Sequence, residues 1–103
     1  MTIKLKSQSK YQIKRTSNFK QNYKKIKRQG KDVEKLKYVV NKLADGIKLE
    51  EKYNDHALKD SKRFKDCREC HLEPDWLLVY QYKENELILF LMETGSHSEI
   101  FNM

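Results

Sequence analysis

The apolar residues of this chain recur at helical spacing in its first half and lie in extended runs in its second half. Residues 11–15 alternate between apolar and polar side chains, which is typical of a half-buried strand. Three further extended segments, at residues 68–72, 76–82 and 87–92, are rich in β-branched, aromatic or aliphatic side chains. These four segments are therefore predicted to form strands.

Two helices are predicted between the first strand and the later ones. The apolar residues of the first helix recur at steps of three or four residues, at Phe19, Tyr23 and Ile26. The second helix carries a longer stripe of the same spacing, at Val33, Leu36, Val40, Leu43 and Ile47. Ser17 and Asp32 are the expected N-caps of these helices, and Gly30 and Gly46 are placed near their ends.

The predicted order of elements is β-α-α-β-β-β, which indicates an α+β fold of two layers. We expect a small antiparallel sheet, with the helical hairpin packed on one face and the stripe of the second helix buried against the last two strands. The chain has 103 residues, which fits one domain over residues 1–103. Residues 1–10 are rich in Lys, Ser and Gln and are predicted to be a loosely ordered terminus.

The charge balance suggests an anionic partner. The chain has 22 Lys and Arg against 15 Asp and Glu, a formal charge of +7. Such an excess favours a nucleic acid, an acidic protein or a membrane surface. No run approaches the roughly 18–20 apolar residues of a membrane span, and no secretory sequence precedes the first strand. We therefore expect a cytoplasmic protein with reduced thiols and without a membrane partner.

The string Cys67-Arg68-Glu69-Cys70-His71 matches the C-x-x-C-H motif of c-type haem attachment and contains a C-x-x-C pair. A haem protein would be exported, and a redox pair should open a helix, whereas this string runs into a predicted strand. A structural zinc site needs four ligands, and no second C-x-x-C completes the set. We therefore expect no cofactor and no metal, although a haem or zinc protein remains an alternative.

A polar, basic connector lies between Lys48 and Arg68. The three histidines, His56, His71 and His97, fall in this connector or at the edges of the C-terminal strands. Glu69, Glu73 and Asp75 lie near them in the sequence, which favours an acid/base cluster. Histidine exchanges protons near neutral pH, as cleavage of RNA requires. The 2′-hydroxyl loses a proton as it attacks phosphorus, and the leaving 5′-oxygen gains one. Cations stabilise the equatorial oxygens, and this chemistry needs no metal.

Basic and aromatic residues give weaker support to RNA as the substrate. Four cations lie in or beside the connector and are candidate RNA-binding residues: Lys59, Lys62, Arg63 and Arg68. Phe64 lies within the same basic segment, and Phe101 follows the last polar loop. Either ring has the chemistry to stack on a base, and either has the chemistry to pack in the core.

Three segments together resemble the YafQ branch of the RelE/ParE toxin superfamily. These are Asp55-His56-Ala-Leu, then His71-Leu-Glu73-Pro74-Asp75-Trp76, then Thr94-Gly95-Ser96-His97 with Phe101 after it. The resemblance covers most of the chain from Tyr11 onward, including the order of elements, and implies the RelE-like microbial RNase fold.

The resemblance implies a toxin of a type II toxin–antitoxin system, an endoribonuclease that cuts mRNA at the ribosome and is neutralised by an acidic antitoxin. It carries catalytic roles onto His56, His71, Asp75, His97 and Phe101. His97 is then the proton donor to the leaving oxygen. His71, oriented by Asp75 or sharing the base role with it, activates the 2′-hydroxyl, and His56 completes the phosphate site.

Two positions depart from the family pattern. Glu69-Cys70-His71 stands where the family often has D-A-H, so the acidic side chain is kept but lengthened. Glu93 precedes the T-G-x-H segment, where many members carry arginine. The second change removes a cation from the site unless Lys59, Lys62, Arg63 or Arg68 replaces it.

Two further alternatives remain open. One is a toxin of the same fold that acts on a protein target, as ParE-like members do, and does not need the histidines. The other is a basic nucleic-acid-binding module without RNase activity, in which the histidines have no catalytic role.

Overall fold

The structure, a computed structural model, describes residues 9–101, and these form three α-helices and a five-stranded sheet. The elements in chain order are β1 (Gln12–Arg15), α1 (Ser17–Arg28), α2 (Val33–Ala44), β2 (His56–Ala57), β3 (Arg68–Glu73), β4 (Trp76–Lys83), β5 (Ile88–Gly95) and α3 (His97–Phe101). The predicted α+β fold is confirmed. Most of the predicted loose terminus, residues 1–8, lies outside the described residues.

The N-cap of α1 is Thr16 and not Ser17, so this prediction was wrong by one residue. Thr16 has extended backbone angles, and its hydroxyl accepts a hydrogen bond from the backbone N–H of Phe19 at 3.0 Å. The N-cap of α2 is Asp32, as predicted, because its carboxylate accepts from the backbone N–H of Glu34 at 3.0 Å. Each cap satisfies one N–H that the first helical turn leaves free.

The apolar stripe of α2 is partly buried at its first predicted member, Val33, and exposed at its last, Ile47. Leu36, Val40 and Leu43 are almost completely buried, whereas Ile47 is 48% exposed. The helix ends at Ala44, and Gly46 has φ +73°, so the backbone turns before Ile47 and the helical spacing no longer applies.

The strand order is β1-β5-β4-β3-β2. Neighbours from β2 to β5 are antiparallel, as predicted, but β1 pairs with β5 in parallel, with Ile13 opposite Leu89. The expectation of a wholly antiparallel sheet was therefore wrong. A parallel neighbour needs a long crossover, and the helices and later strands between β1 and β5 supply it.

The sheet is covered on both faces, and β4 shows the division. Leu78 and Tyr80 belong to the large core that also contains the buried residues of α1 and α2. Leu77 and Val79 point to the other face and pack in a smaller cluster with Phe64, Cys67 and Ile100. This alternation follows from the period of two along a strand. The smaller cluster supports the connector and α3, which carry candidate site residues.

Two elements were not predicted, because both are too short to show a repeat. β2 has two residues within the polar connector and pairs with β3. α3 has five residues and follows the turn at Gly95. Gly95 has φ +155°, and a Cβ at this position would lie 3.1 Å from Oε1 of Glu99. Glycine therefore allows the chain to pass directly from β5 into α3. Within residues 9–101, no helix has the length and apolarity needed to cross a bilayer.

Candidate active site

The structure brings the three histidines together, although β2, β3 and α3 each contribute one of them. The ring of His71 lies between the other two rings. Its centre is 6.1 Å from that of His56 and 5.7 Å from that of His97. All three side chains are partly exposed, so the cluster is open to a substrate.

The strand register explains how two of these histidines meet. His56 on β2 lies directly opposite Glu69 on β3, so the two side chains share one face of the sheet. His71 lies two residues after Glu69 on the same strand and therefore points to the same face. This is the face that carries the smaller apolar cluster, away from α1 and α2, because Glu69 and His71 lie opposite Val79 and Leu77.

Glu69 is a site residue that the list of catalytic candidates did not include. Its side chain is only 5% exposed, and its Oε1 lies 3.2 Å from Nε2 of His71 and 3.6 Å from Nε2 of His56. The spacing of two between Glu69 and His71 places both on one face of a strand and would have indicated this pairing. The carboxylate can accept a hydrogen bond from a protonated ring nitrogen and can stabilise an imidazolium.

The backbone fixes the tautomer of His56. Its Nδ1 lies 2.7 Å from the carbonyl oxygen of Asn54, and because a carbonyl only accepts, Nδ1 must carry the proton. Asp55, between them, is held by two donors: the Tyr80 hydroxyl donates to its Oδ1 at 2.6 Å, and Nη2 of Arg68 lies 3.3 Å from its Oδ2. These contacts fix the short strand that presents His56 to Glu69.

Asp75 binds His97 and not His71, the residue that it was expected to orient. Its Oδ1 accepts from the backbone N–H of His97 at 3.0 Å and lies 3.1 Å from Nδ1 of the same ring. These two hydrogen bonds lower the pKa of Asp75. The ionised carboxylate therefore accepts a hydrogen bond from a protonated Nδ1. This leaves Nε2 of His97 free to reach a substrate. The orienting partner of His71 is Glu69.

Phe101 lies beside this cluster. Its ring centre is 6.3 Å from that of His97 and 5.7 Å from that of Phe64, which it meets edge to face. Phe64 is buried, whereas Phe101 is only partly buried. Phe64 therefore serves the smaller apolar cluster, and Phe101 keeps an accessible surface next to His97.

The four candidate RNA-binding cations have different environments. Lys59 and Lys62 are exposed in the connector. Arg63 forms an ion pair with Glu93, the residue that stands where many family members carry arginine. Arg68 lies opposite Tyr80, whose side chain points into the large core, and it binds Asp55. Arg68 is therefore on the helix-facing side of the sheet, away from the histidines.

The two cysteines lie on opposite faces of the sheet. Cys70 packs in the large core, and Cys67 packs in the smaller cluster. Burial raises the pKa of both thiols, so neither is activated as a nucleophile. Two side chains on opposite faces do not converge on one ion or one disulfide, which disfavours the haem, zinc and redox alternatives.

The donor atoms of His56, Glu69 and His71 lie within 4.8 Å of one another and have the chemistry to hold a metal ion. Two imidazoles and one carboxylate suit a divalent transition metal such as zinc or copper. The sequence pattern predicted no metal because these ligands come from two separate strands and form no recognisable spacing.

The arrangement as a whole places two carboxylate–histidine pairs side by side. One pair is Glu69 with His71, and the other is Asp75 with His97. General acid/base chemistry needs two such groups within hydrogen-bond reach of the same substrate. The ring centres of His71 and His97 are 5.7 Å apart, which is close enough for both side chains to contact one small group such as a phosphate.

The chain is similar to known bacterial toxins. The model of a family described as the bacterial toxin of type II toxin–antitoxin system, YafQ, matches residues 11–102. The mRNA interferase toxin YafQ of Escherichia coli strain B / BL21-DE3 is 34% identical over 90 residues, which cover 86% of this chain and 94% of that protein.

Solved structures show the same fold. The metal-bound toxin from Helicobacter pylori superposes with a TM-score of 0.83 at 46% identity, covering 88% of this chain and 99% of that chain. The E. coli DinJ–YafQ complex superposes with a TM-score of 0.79 at 33% identity, covering 88% of this chain and 98% of that chain.

Proposed function

This chain belongs to the YafQ family of bacterial toxins of type II toxin–antitoxin systems, and we propose that it is an mRNA interferase, an endoribonuclease that cleaves mRNA. A curated relative at 34% identity carries that activity in its name. The observation that carries the proposal is the pair of carboxylate-backed histidines, His71 and His97, with ring centres 5.7 Å apart. They can act on the two sides of one phosphate.

His71 is the proposed general base and His97 the proposed general acid. His71 takes the proton of the 2′-hydroxyl, the 2′-oxygen forms a bond to phosphorus, and the bond from phosphorus to the 5′-oxygen breaks. His97 gives its Nε2 proton to the departing oxygen. The products are a 2′,3′-cyclic phosphate and a free 5′-hydroxyl, so atoms and protons balance without water.

Each of the two carboxylates lies beside one of these rings. Glu69 faces Nε2 of His71 in a nearly water-free position, and stabilises the imidazolium that forms when His71 accepts a proton. Asp75 accepts from Nδ1 of His97 and keeps its Nε2 directed at the substrate. Loss of either carboxylate therefore affects the chemical step.

The other candidate residues bind the substrate. His56, with its Nδ1 proton committed to Asn54, presents Nε2 beside Glu69 and completes the phosphate site. Phe101 offers a partly exposed ring for stacking on a base. Lys59 and Lys62 are exposed cations that attract the RNA backbone.

A divalent metal ion would be held by His56, Glu69 and His71, where it would supply positive charge beside the phosphate. A ring nitrogen that binds a metal is not free to accept a proton. The proton transfers proposed here therefore use these residues in their metal-free form.

The test is cleavage of mRNA by the purified protein and by His71→Gln and His97→Gln variants, with Lys37→Gln on α2 as the matched surface control. We expect each histidine variant to lose at least about 100-fold in kcat. Replacing the 2′-hydroxyls of the cleaved segment by hydrogen should abolish cleavage, and the products should carry cyclic phosphate ends. Full activity of both histidine variants would exclude the mechanism.

We propose that cleavage takes place on the ribosome. The test measures the cleavage rate of one mRNA with and without ribosomes in the same buffer, and we expect the rate to rise when ribosomes are added. A rate that does not change when ribosomes are added would exclude this part of the proposal and leave the chemistry intact.

The cognate partner is proposed to be an acidic antitoxin. The E. coli relative was crystallised in a complex with DinJ, and the charge of +7 favours a partner rich in Asp and Glu. Adding the acidic protein encoded beside this toxin should abolish cleavage at a one-to-one ratio. Unchanged cleavage with a large excess would argue against it.

A ParE-like toxin acting on a protein target would not require a histidine cluster. The assembly of His56, His71 and His97 beside two carboxylates therefore favours the nuclease. A nucleic-acid-binding module without RNase activity is disfavoured for the same reason. Growth arrest that persists in His97→Gln would support either alternative.

A further inference from the structure

Arg63 and Glu93 form an ion pair that joins the connector to β5. Nη2 of Arg63 binds Oε2 of Glu93, and Nη1 donates to the carbonyl oxygen of Ile100 at 2.6 Å. The side chain of Glu93 is 7% exposed, whereas that of Arg63 is 49% exposed. The carboxylate is therefore enclosed, and part of the guanidinium reaches solvent.

The pair lies on the same face of the sheet as the histidine cluster. Glu69 on β3 lies opposite Val79 on β4, and Val79 lies opposite Glu93 on β5. Directly opposed residues point to the same side, so both carboxylates belong to the face of the smaller apolar cluster. Oε2 of Glu93 also accepts from Nδ2 of Asn18, in the first turn of α1, at 3.5 Å. Neighbouring strands are about 4.8 Å apart, which places the backbones of Glu69 and Glu93 roughly 10 Å from each other.

The two anchors of Arg63 flank His97 along the chain, because Glu93 precedes it and Ile100 follows it by less than one helical turn. The guanidinium also lies 4.7 Å from the ring centre of Phe64, whose ring meets that of Phe101. Arg63 is thereby fixed on the His97 side of the cluster.

The exposed part of the guanidinium suits an anion. Arginine has five N–H donors, and the contacts to Glu93 and Ile100 occupy one nitrogen each. The remaining donors are planar and matched to phosphate oxygens. Cleavage increases the negative charge on the phosphate, and an unpaired Glu93 on this face would oppose that change.

We propose that Arg63 binds an RNA phosphate at the cleavage site and that Glu93 is its positioning residue. The proposal rests on the proposed RNA cleavage. The cation of the site then comes from Arg63 in the connector, and the carboxylate of Glu93 on β5 orients it. Arg63 thus differs from Lys59 and Lys62, which attract RNA without a fixed geometry.

The experiment measures kcat, KM and their salt dependence for mRNA cleavage, together with thermal unfolding of each variant. Removing Arg63 alone leaves Glu93 buried without a positive partner and risks unfolding, so the main variant is R63Q/E93Q. Its two amides retain hydrogen bonding without charge. The exchange R63E/E93R keeps the ion pair and a cation on the same face. The matched control is E34Q/K37Q, which removes a surface ion pair on α2 and likewise leaves the net charge unchanged.

We expect R63Q/E93Q to unfold near the wild-type temperature and to lose about tenfold in kcat/KM. Its dependence of log kcat/KM on log salt should flatten by about 0.7, the value for one phosphate contact on a single strand. R63E/E93R should recover most of the activity. The kcat/KM of the single variant E93Q should lie between those of the wild type and R63Q/E93Q, because Arg63 remains but is held less firmly in place.

Wild-type activity in R63Q/E93Q would overturn the proposal. So would a folded R63E/E93R as impaired as R63Q/E93Q, since a cation on that face would then be irrelevant. If the wild-type protein cleaves no mRNA with or without ribosomes, the proposed function itself fails, and the assignment of Arg63 fails with it. The first two outcomes leave the proposed function standing.

Discussion

At the scale of single residues, Glu69 has the environment of a group that stabilises charge. It is almost fully buried, and it meets His56 and His71 through one oxygen atom. A buried carboxylate is costly unless a positive partner offsets its desolvation. The protonated form of His71 is such a partner, so in the proposed mechanism Glu69 stabilises the positive charge that His71 acquires.

Replacing Glu69 by Gln should lower kcat by at least about tenfold while KM changes little. The amide keeps the shape but cannot stabilise the imidazolium of His71. The matched control is Glu73→Gln, a carboxylate on the same strand that pairs with Lys35 at 2.9 Å. Equal kcat values for the two variants would contradict the role of Glu69.

Zinc or copper ions should inhibit cleavage, because an ion held by His56, Glu69 and His71 would occupy the carboxylate that is proposed to stabilise the protonated form of His71. Adding EDTA should restore the rate. The measurement is the initial cleavage rate against metal concentration. A His56→Ala variant with residual activity should need a higher concentration for half-inhibition, and an unchanged value would place the inhibitory ion elsewhere.

At the scale of elements, α3 depends on polar contacts to reach its position. Glu99 accepts from the backbone N–H of Ser96 at 2.9 Å and forms an ion pair with Lys25 on α1. The bond to Lys25, followed by the bond to Ser96, lowers the pKa of Glu99 to about 2. A helix of five residues has little stability of its own, so these contacts hold His97 in place.

The folded protein should lose stability as the pH falls from about 4.5 to about 2, because Glu99 then becomes protonated in the unfolded chain before the folded one. The stabilisation is fully present above the ordinary pKa of the carboxyl and disappears as pH falls through the lowered one. Glu99→Gln should therefore show a smaller drop in Tm between about pH 6 and about pH 3. An identical drop would refute the linkage.

The cap of α1 gives a second test at this scale. Thr16 accepts from the N–H of Phe19 and donates to the carbonyl oxygen of Met92 at 2.6 Å, so it joins α1 to β5. Thr16→Ala should lower the free energy of unfolding by about 1–2 kcal/mol. Ser17→Ala, one residue later and inside the helix, should have a much smaller effect. Denaturant unfolding measures both.

Much of the secondary structure could be predicted because it depends on local periodicity. The helical spacing of Leu36, Val40 and Leu43 identifies α2, and the run of β-prone side chains at residues 76–82 identifies β4. The parallel pairing of β1 with β5 could not be predicted, since it joins residues more than 70 positions apart and leaves no periodic trace.

The residues of the candidate site could be predicted from the sequence, but most of their contacts could not. His56, His71 and His97 were found as a residue type with suitable chemistry, and the structure brings them together. The partner of each histidine depends on register and turn geometry, so Asp75 was paired with the wrong ring. Arg63 and Glu93 lie 30 residues apart and meet only because the connector folds over β5.

At the scale of the whole molecule, positive charge and catalytic chemistry have separate roles. The charge of +7 supplies attraction to any polyanion, and in the proposed mechanism the histidine cluster selects RNA through its 2′-hydroxyl. The affinity for a non-cleavable single-stranded RNA should therefore fall linearly with salt on logarithmic axes, by about 0.7 for each phosphate bound. A flat dependence between about 50 and 200 mM salt would contradict an electrostatic encounter.

The place of β5 in the sheet has a consequence for biosynthesis. β5 lies between β1 and β4, and α3 with His97 follows it, so the ribosome must make these residues before the sheet can close. A nascent chain that lacks them has no strand for β1 to pair with and lacks His97, the proposed general acid. The toxin should therefore become active only after β5 and α3 have been translated, and chains that stop before β5 should be harmless to the cell that makes them.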